Sequence, residues 1–341
     1  MIDIASECLA RFNNESEYIE SSGPTDPLVS VTVTTYQHAN YIKDCLHGIL
    51  SQETTFPFEI IIGEDGSQDG TREICIKYAE EHPDVIRLFL RNRSTSQLLD
   101  SDGQLIKRLN GAWTRLSARG KYIAWCEGDD FWRDSTKLQK QVDFLQRNKA
   151  YSISFHDAII VDEQGKLIGG SKLEKSRNKR NFTAKDLVRG PLLPTMSTVF
   201  RNYPNVTTRA LGRVKNGDRV IFSLLGEHGK AHYAKDVVPA AYRKHSGGIW
   251  SKVDMLTRKK ELVNTTEFIS KVVKQEFKSA VKNELFAKRL QLAREYLKQG
   301  NRQLFLSKYR LAYSSFAFNF TFARCMIKEH LKILYTLFLE R

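Results

Sequence analysis

No stretch of this sequence approaches the roughly 18 consecutive apolar residues that a membrane-spanning helix needs. The longest candidate, near Ile333–Leu339, is short and flanked by charge. The N-terminus, MIDIASECLA, lacks a basic segment followed by an apolar run, so no secretory signal is expected. The five cysteines (Cys8, Cys45, Cys75, Cys126, Cys325) are odd in number, widely spaced and contain no CxxC pair. That argues against a disulfide framework or a zinc site and fits a reducing compartment. There is no GxxxxGK(S/T) loop, no GxGxxG behind a strand and no Ser-His-Asp elbow. Nucleotide triphosphatase, dinucleotide-binding and serine-hydrolase readings therefore have no support. GEDGSQDGT (Gly63–Thr71) has the acids and glycines of a calcium loop but not its spacing or closing Glu.

What the chain does contain is an alternation. With 341 residues, 41% of them apolar, it can bury a core. After a polar leader ending in the breaker cluster SSGPTDP, VSVTVTTY (Val29–Tyr36) suits a strand. YIKDCLHGILSQ reads as a helix that Asn40 can cap. FEIIIGEDGS is a strand running into acids, TREICIKYAEEH a helix and VIRLFL a strand. A helix is expected over Gly103–Ala118, then the strand YIAWC, a helix opened by Ser135, and one strand over YSISFHDAIIVD. This order predicts an α/β fold with a mainly parallel sheet and right-handed crossovers, covered on both faces. Residues 165–181, charged with a Gly pair, read as a mobile loop. Beyond Trp250 the pattern is helical, with two amphipathic helices joined at Gly300–Asn301.

The stretch YIAWCEGDDFW (Tyr122–Trp132) ends a buried strand in three carboxylates. Like charges placed there are costly unless something positive lies among them, and a divalent ion is the natural candidate. GEDGS also falls at a carboxyl end, as does the turn after TVTTY. Ligands of such sheets bind outside those ends, so three loops are expected to converge on one crevice.

VSVTVTTYQHANYIKDCLHGILSQ, FEIIIGEDGSQDGT and GKYIAWCEGDDFW, in this order and spacing, resemble the nucleotide-sugar-binding half of family-two inverting glycosyltransferases. The resemblance is strong over Leu28–Asp162 and weaker over Pro191–Ser251. It implies a GT-A type mixed, mainly parallel sheet flanked by helices, with a helical C-terminal extension. It divides the chain into a leader (1–26), a GT-A domain (27–250) and a basic helical region (251–341). Within the GT-A domain, 27–165 would bind the nucleotide sugar and 166–250 the acceptor.

The same resemblance implies roles for single residues. Thr34 and Tyr36 would touch the nucleotide, and Asp65 would hydrogen-bond the base, behind Glu64 where the family usually has Asp. Asp130 would ligate Mn2+ or Mg2+, with Asp129 near the ribose or sugar. Where many members carry an Asn on the helix before Tyr122, this chain has Ala112, leaving Lys107 or Arg108 as substitutes. Asp218 in NGDRVIFSLL matches the catalytic base, although an Asp before an apolar helical run is also an ordinary N-cap. Glu227 and Asp236 are the runners-up. In YRKHSGGIW, Arg243 would pair with the diphosphate and His245 would contact phosphate or metal. Trp132 is expected either to stack on an acceptor sugar or simply to pack.

Net charge is +14, and residues 251–341 hold 19 Lys and Arg against 8 Asp and Glu. That excess suggests peripheral contact with an anionic membrane, or else a solvated basic face or a helical appendage packed on the catalytic domain or mediating oligomerisation. The acidic strand ends argue against nucleic acid. The expectation is a metal-assisted, inverting transfer of a sugar from a nucleotide diphosphate donor, UDP-linked by preference, to a glycan or lipid-linked hydroxyl acceptor. Its setting would be surface polysaccharide assembly in the cytoplasm or on the inner membrane face. The alternatives are a nucleotidyltransferase acting on sugar phosphates and a non-catalytic basic binding protein.

Overall fold

The computed structural model describes residues 3–14, 23–173, 178–248, 253–314, 331 and 333. They fall into two compact units, one of residues 1–184, 192–213 and 228–246, the other of 185–191, 214–227 and 247–341.

The chain opens with helix α1 (Ile4–Phe12), N-capped by the Asp3 carboxylate. The sequence pattern places these residues in a loose leader. Instead Cys8 is fully buried, and Trp113 Nε1 donates to the Cys8 carbonyl at 3.0 Å. Then β1 (Val29–Thr35), α2 (Ile42–Leu50), β2 (Phe58–Glu64), α3 (Thr71–Glu81) and β3 (Ile86–Leu90) follow the expected alternation. Asn40 does not cap α2. Tyr41 holds that position, and the loop before it is tied by Asp69, whose carboxylate accepts from the Ala39 amide. The helix expected from Gly103 is instead a hairpin, β4 (Gln97–Leu99) and β5 (Leu105–Arg108), followed by α4 (Asn110–Leu116). Asp100 makes the turn by accepting the amides of Asp102 and Gln104, with Gly103 at φ 73°.

Strand β6 (Tyr122–Glu127) and helix α5 (Lys137–Arg147) come next. The side chain at the start of α5 is Asp134, which accepts the Thr136 amide, and not Ser135. YSISFHDAIIVD is two strands, β7 (Tyr151–Phe155) and β8 (Ala158–Val161), in different sheets. Asp157 breaks the run by accepting the amides of Ala158 and Leu173, local bonds that compete with a strand ladder. The expected loop contains β9 (Leu167–Ser171), while residues 174–177 lie outside the described set. There follow α6 (Ala184–Val188), β10 (Val199–Arg201), α7 (Pro204–Arg209), α8 (Gly217–Gly226), β11 (Lys230–Tyr233), β12 (Ala240–Arg243), α9 (Met255–Val272), α10 (Lys278–Lys298) and α11 (Arg302–Tyr313).

The first unit is built on a seven-stranded sheet in the order β11-β7-β10-β6-β1-β2-β3. Every pairing is parallel except those of β10, which runs against both β6 and β7. Val31, Val33, Ile60, Ile62 and Ala124 are buried against Ile42, Leu46, Leu138 and Val142 of the covering helices. Register places Thr35 across from Glu64 and Thr34 across from Glu127, so three carboxyl ends finish level. A smaller sheet, β12-β8-β9, brings β12 to the loop after β6 through a bridge between Phe131 and Ala241.

The second unit is helical. α10 buries Phe286, Leu290, Ala293 and Leu297 in one cluster with Val263 of α9 and with Phe305 and Ala312 of α11. The α10–α11 corner falls where expected, with Gly300 at φ 71° and the Asn301 side chain capping the Leu304 amide. Among the described residues no helix is long and apolar enough to cross a membrane.

Candidate active site

At the level rim of the large sheet the acids are not left facing one another. After β2, Glu64 turns inward: its carboxylate accepts from Arg72 Nε and from the Ser67 amide. Ser67 Oγ in turn accepts the Gln37 amide, which holds Gln37 at φ 57° in the loop after β1. A non-glycine residue in that region is strained, and such strain collects at binding sites. Asp65, 3% exposed, accepts from Arg93 Nη1 at 2.8 Å and from Ser96 Oγ. Burial pushes its carboxyl up, opposed by Ser96 and by the charges of Arg93 and Arg108. Arg93 also lies 3.2 Å from the centroid of the Tyr36 ring. Tyr36, Asp65, Arg93 and Arg108 thus form one group.

After β6, Asp129 and Asp130 part company. Asp129 Oδ2 lies 3.0 Å from His245 Nε2 and 4.0 Å from His38 Nε2. Burial raises its carboxyl, but the hydrogen bond from His245 and the charges of the two histidines outweigh this and hold it low. Burial pushes the His38 imidazole down, against the pull of Asp129. Asp130, expected as the direct metal ligand, is 2% exposed, and its Oδ1 accepts the Arg243 amide at 2.8 Å. Burial and then the neighbouring Asp129 charge push Asp130 well above the usual carboxylate range. The arrangement thus places Asp129, expected near the ribose or sugar, with His38 and His245 in a group that could hold a metal ion. Gly128 lets this happen: a Cβ there would sit 2.7 Å from Thr35 Oγ1 and 3.0 Å from His38 Nδ1.

The structure brings Thr34, Tyr36, Asp65, Asp129, Asp130, Arg243 and His245 to this rim, but Arg243 is differently engaged than expected, and so is Trp132. The Arg243 side chain is 1% exposed. Its guanidinium donates to the carbonyls of Asp129 and Glu163 and to the Asp44 carboxylate at 2.6 Å, which ties the loop after β6 to β12 and α2. Trp132 is 4% exposed; its indole N–H donates to the Met196 carbonyl at 2.7 Å and Lys137 Nζ covers its ring, so it packs and offers no stacking face. Asp218 lies in the first turn of α8, in the second unit. Glu227 accepts the Lys274 amide in that unit, and the Asp236 carbonyl accepts from Lys140 in the first.

Comparison with known proteins now adds to this geometry. Residues 30–97 match the family model described as glycosyl transferase family 2. Over that stretch the chain is similar to this family. An uncharacterized protein of Mycobacterium tuberculosis is 30% identical to it over 222 residues, covering 65% of this chain and 60% of that protein. TuaG of Bacillus subtilis, provisionally named a teichuronic acid biosynthesis glycosyltransferase, is 29% identical over 54% of this chain and 68% of its own. Among solved structures, residues 1–349 of S. aureus TarS in complex with UDP-GlcNAc give a TM-score of 0.56 at 15% identity, covering 83% of this chain and 79% of that one. A mannosyltransferase from Pyrobaculum calidifontis in complex with GDP-Man and Mn2+ gives 0.53 at 17%, covering 97% and 92%. At those identities the likeness establishes the fold, which is of the GT-A kind.

The rim also holds residues that the motifs do not announce. His38 sits in the first motif as one polar residue among several, and only the approach of β1 to the loop after β6 reveals its neighbours. Ala112 is buried, while Asn110, two residues earlier, donates from Nδ2 to the Gly63 carbonyl and accepts from Arg91. Arg93 follows a strand with no motif around it. The signal available for it was a cation just past a carboxyl end.

Proposed function

We propose that the protein transfers a sugar, with inversion, from a nucleotide diphosphate donor to a hydroxyl acceptor during surface glycan assembly. The observation that carries this is the rim itself, with the Tyr36–Asp65–Arg93 group on one side and the Asp129–His245 pair on the other. The neighbours in complex with UDP-GlcNAc and GDP-Man support a nucleotide sugar as donor, with a UDP-sugar as our choice. In this reading Tyr36 and Asp65 take the nucleoside, with Arg93 and Ser96 fixing the Asp65 carboxylate so that its remaining lone pairs point at the ligand. Asp129 and His245 would hold a divalent ion, Mn2+ or Mg2+. When bound, that ion would neutralise charge developing on the departing diphosphate. Asp130 and Arg243 position the Asp129 loop through the amide and carbonyl bonds described above. Asp218 takes the proton from the acceptor hydroxyl as the new bond to the anomeric carbon forms and the bond to the diphosphate breaks.

The same proposal assigns residues 27–165 to the donor and 166–250 to the acceptor, with the basic region 251–341 bringing the enzyme to an anionic membrane surface. A panel of nucleotide sugars assayed for hydrolysis and transfer with Mn2+ tests the reading. Asp129→Asn should abolish both activities, and Asp218→Asn should abolish transfer while nucleotide binding remains. Transfer at the wild-type rate in Asp218→Asn would remove that residue from the mechanism.

A further inference from the structure

Asp129 has two imidazoles beside it, of which only His245 was expected near a metal. The ligand atoms of His38, Asp129 and His245 all lie within 4.8 Å of one another. With metal–ligand bonds of about 2.1 Å, atoms on adjacent coordination positions are about 3 Å apart and on opposite positions about 4.2 Å. The cluster needs to contract by only about half an ångström to close on one ion.

Three features aim His38 at that point. Its Nδ1 lies 3.3 Å from Thr35 Oγ1, which leaves Nε2 for the ion. The glycine at 128 keeps its ring from being displaced. Its backbone amide donates to Thr71 Oγ1 at 2.8 Å, fixing the loop at α3. Asp130 has withdrawn to the Arg243 amide and supplies no competing oxygen from its Oδ1.

We propose that His38 is a third protein ligand, and that the resulting pair of imidazoles with one carboxylate selects a first-row transition ion such as Mn2+ over Mg2+. This deepens the transfer reading above and rests on it for the substrate. Mg2+ is a hard ion that prefers oxygen ligands and sheds its waters reluctantly. Imidazole nitrogen is a softer donor suited to transition ions, and two histidines with one carboxylate leave positions open for ligand oxygens.

The test uses the purified full-length chain without nucleotide. Titration with MnCl2 followed by electron paramagnetic resonance should show one bound Mn2+ that a tenfold excess of MgCl2 does not displace. Pulsed measurements on that ion should resolve two imidazole nitrogens. One nitrogen, no binding at millimolar Mn2+, or displacement by equimolar Mg2+ overturns the proposal. His38→Ala, with its fold checked by circular dichroism, should bind Mn2+ at least about tenfold more weakly and show one nitrogen. Unchanged affinity in that variant also overturns the proposal. A two-nitrogen signal in a protein that binds no nucleotide sugar would leave the ligand set standing and remove the transfer reading. Transfer supported equally by Mg2+, with a one-nitrogen signal, would do the reverse.

Discussion

Arg243 is engaged inside the protein, with both the backbone and the guanidinium holding the loop that carries Asp129 and Asp130. Removing it leaves buried carbonyls without donors, at about 1–3 kcal/mol each. Arg243→Ala should therefore lower the urea midpoint and weaken metal binding together. Arg243→Lys should recover part of the stability but little of the metal affinity, because one ammonium cannot span three acceptors. Unchanged Mn2+ affinity in Arg243→Ala would show that the loop holds without this residue. Lys137 makes a different prediction. It is fully buried, its Nζ has no hydrogen-bond partner among the described residues and lies 4.1 Å from the Trp132 ring centroid, and burial pushes its ammonium down to about 7. The unfolded chain keeps the ordinary value of 10.5, so between pH 7 and 10.5 it binds more proton than the folded one. Stability should rise with pH across that window and be flat, at its least favourable, below it. Lys137→Met should remove this rise; denaturant unfolding of both proteins from pH 6 to 10 measures it. Neither behaviour is visible in the motifs, where Arg243 reads as a partner of the diphosphate and Lys137 as one residue of a helix.

Among the elements, α4 depends on a missing side chain in β2. A Cβ on Gly63 would overlap Arg91, Asn110 and Thr114, the three groups that hold α4 against β2. Gly63→Ala should push α4 away and lower the melting temperature by several degrees, a few kcal/mol of overpacking. A melting temperature equal to wild type would mean that α4 is held elsewhere. Strands β1, β2, β3 and β6 were legible because they are long apolar runs, buried on both faces. The β4–β5 hairpin was not, since its pattern of alternation is short and its turn is made by one aspartate. The split between β7 and β8 was hidden for the same reason: Asp157 redirects the chain through bonds to backbone 1 and 16 residues away.

For the whole molecule, donor and ion together should stabilise the folded chain by mass action, about 2.7 kcal/mol at a hundredfold excess over Kd. Thermal unfolding with UDP and MnCl2 should show a rise of a few degrees that Asp129→Asn abolishes; no rise in the wild type would count against the site. α11 exposes Leu304, Leu306, Leu311 and Tyr313 beside Arg302, Lys308 and Arg310. Flotation with phosphatidylglycerol vesicles at low salt should capture the protein, while neutral vesicles should not; failure at low salt would dispose of membrane contact. The sequence alone determined the alternation of strands and helices, the acids at the carboxyl ends, and with them the resemblance to family-two glycosyltransferases, because hydrophobic burial and strand-end chemistry act over a few neighbouring residues. Only the tertiary structure decided which acid meets which cation. His38, Asp129 and His245 are separated by 91 and 116 positions in the chain. Their meeting depends on sheet register, on a glycine that yields space and on an arginine amide that draws Asp130 aside, none of which a local pattern encodes.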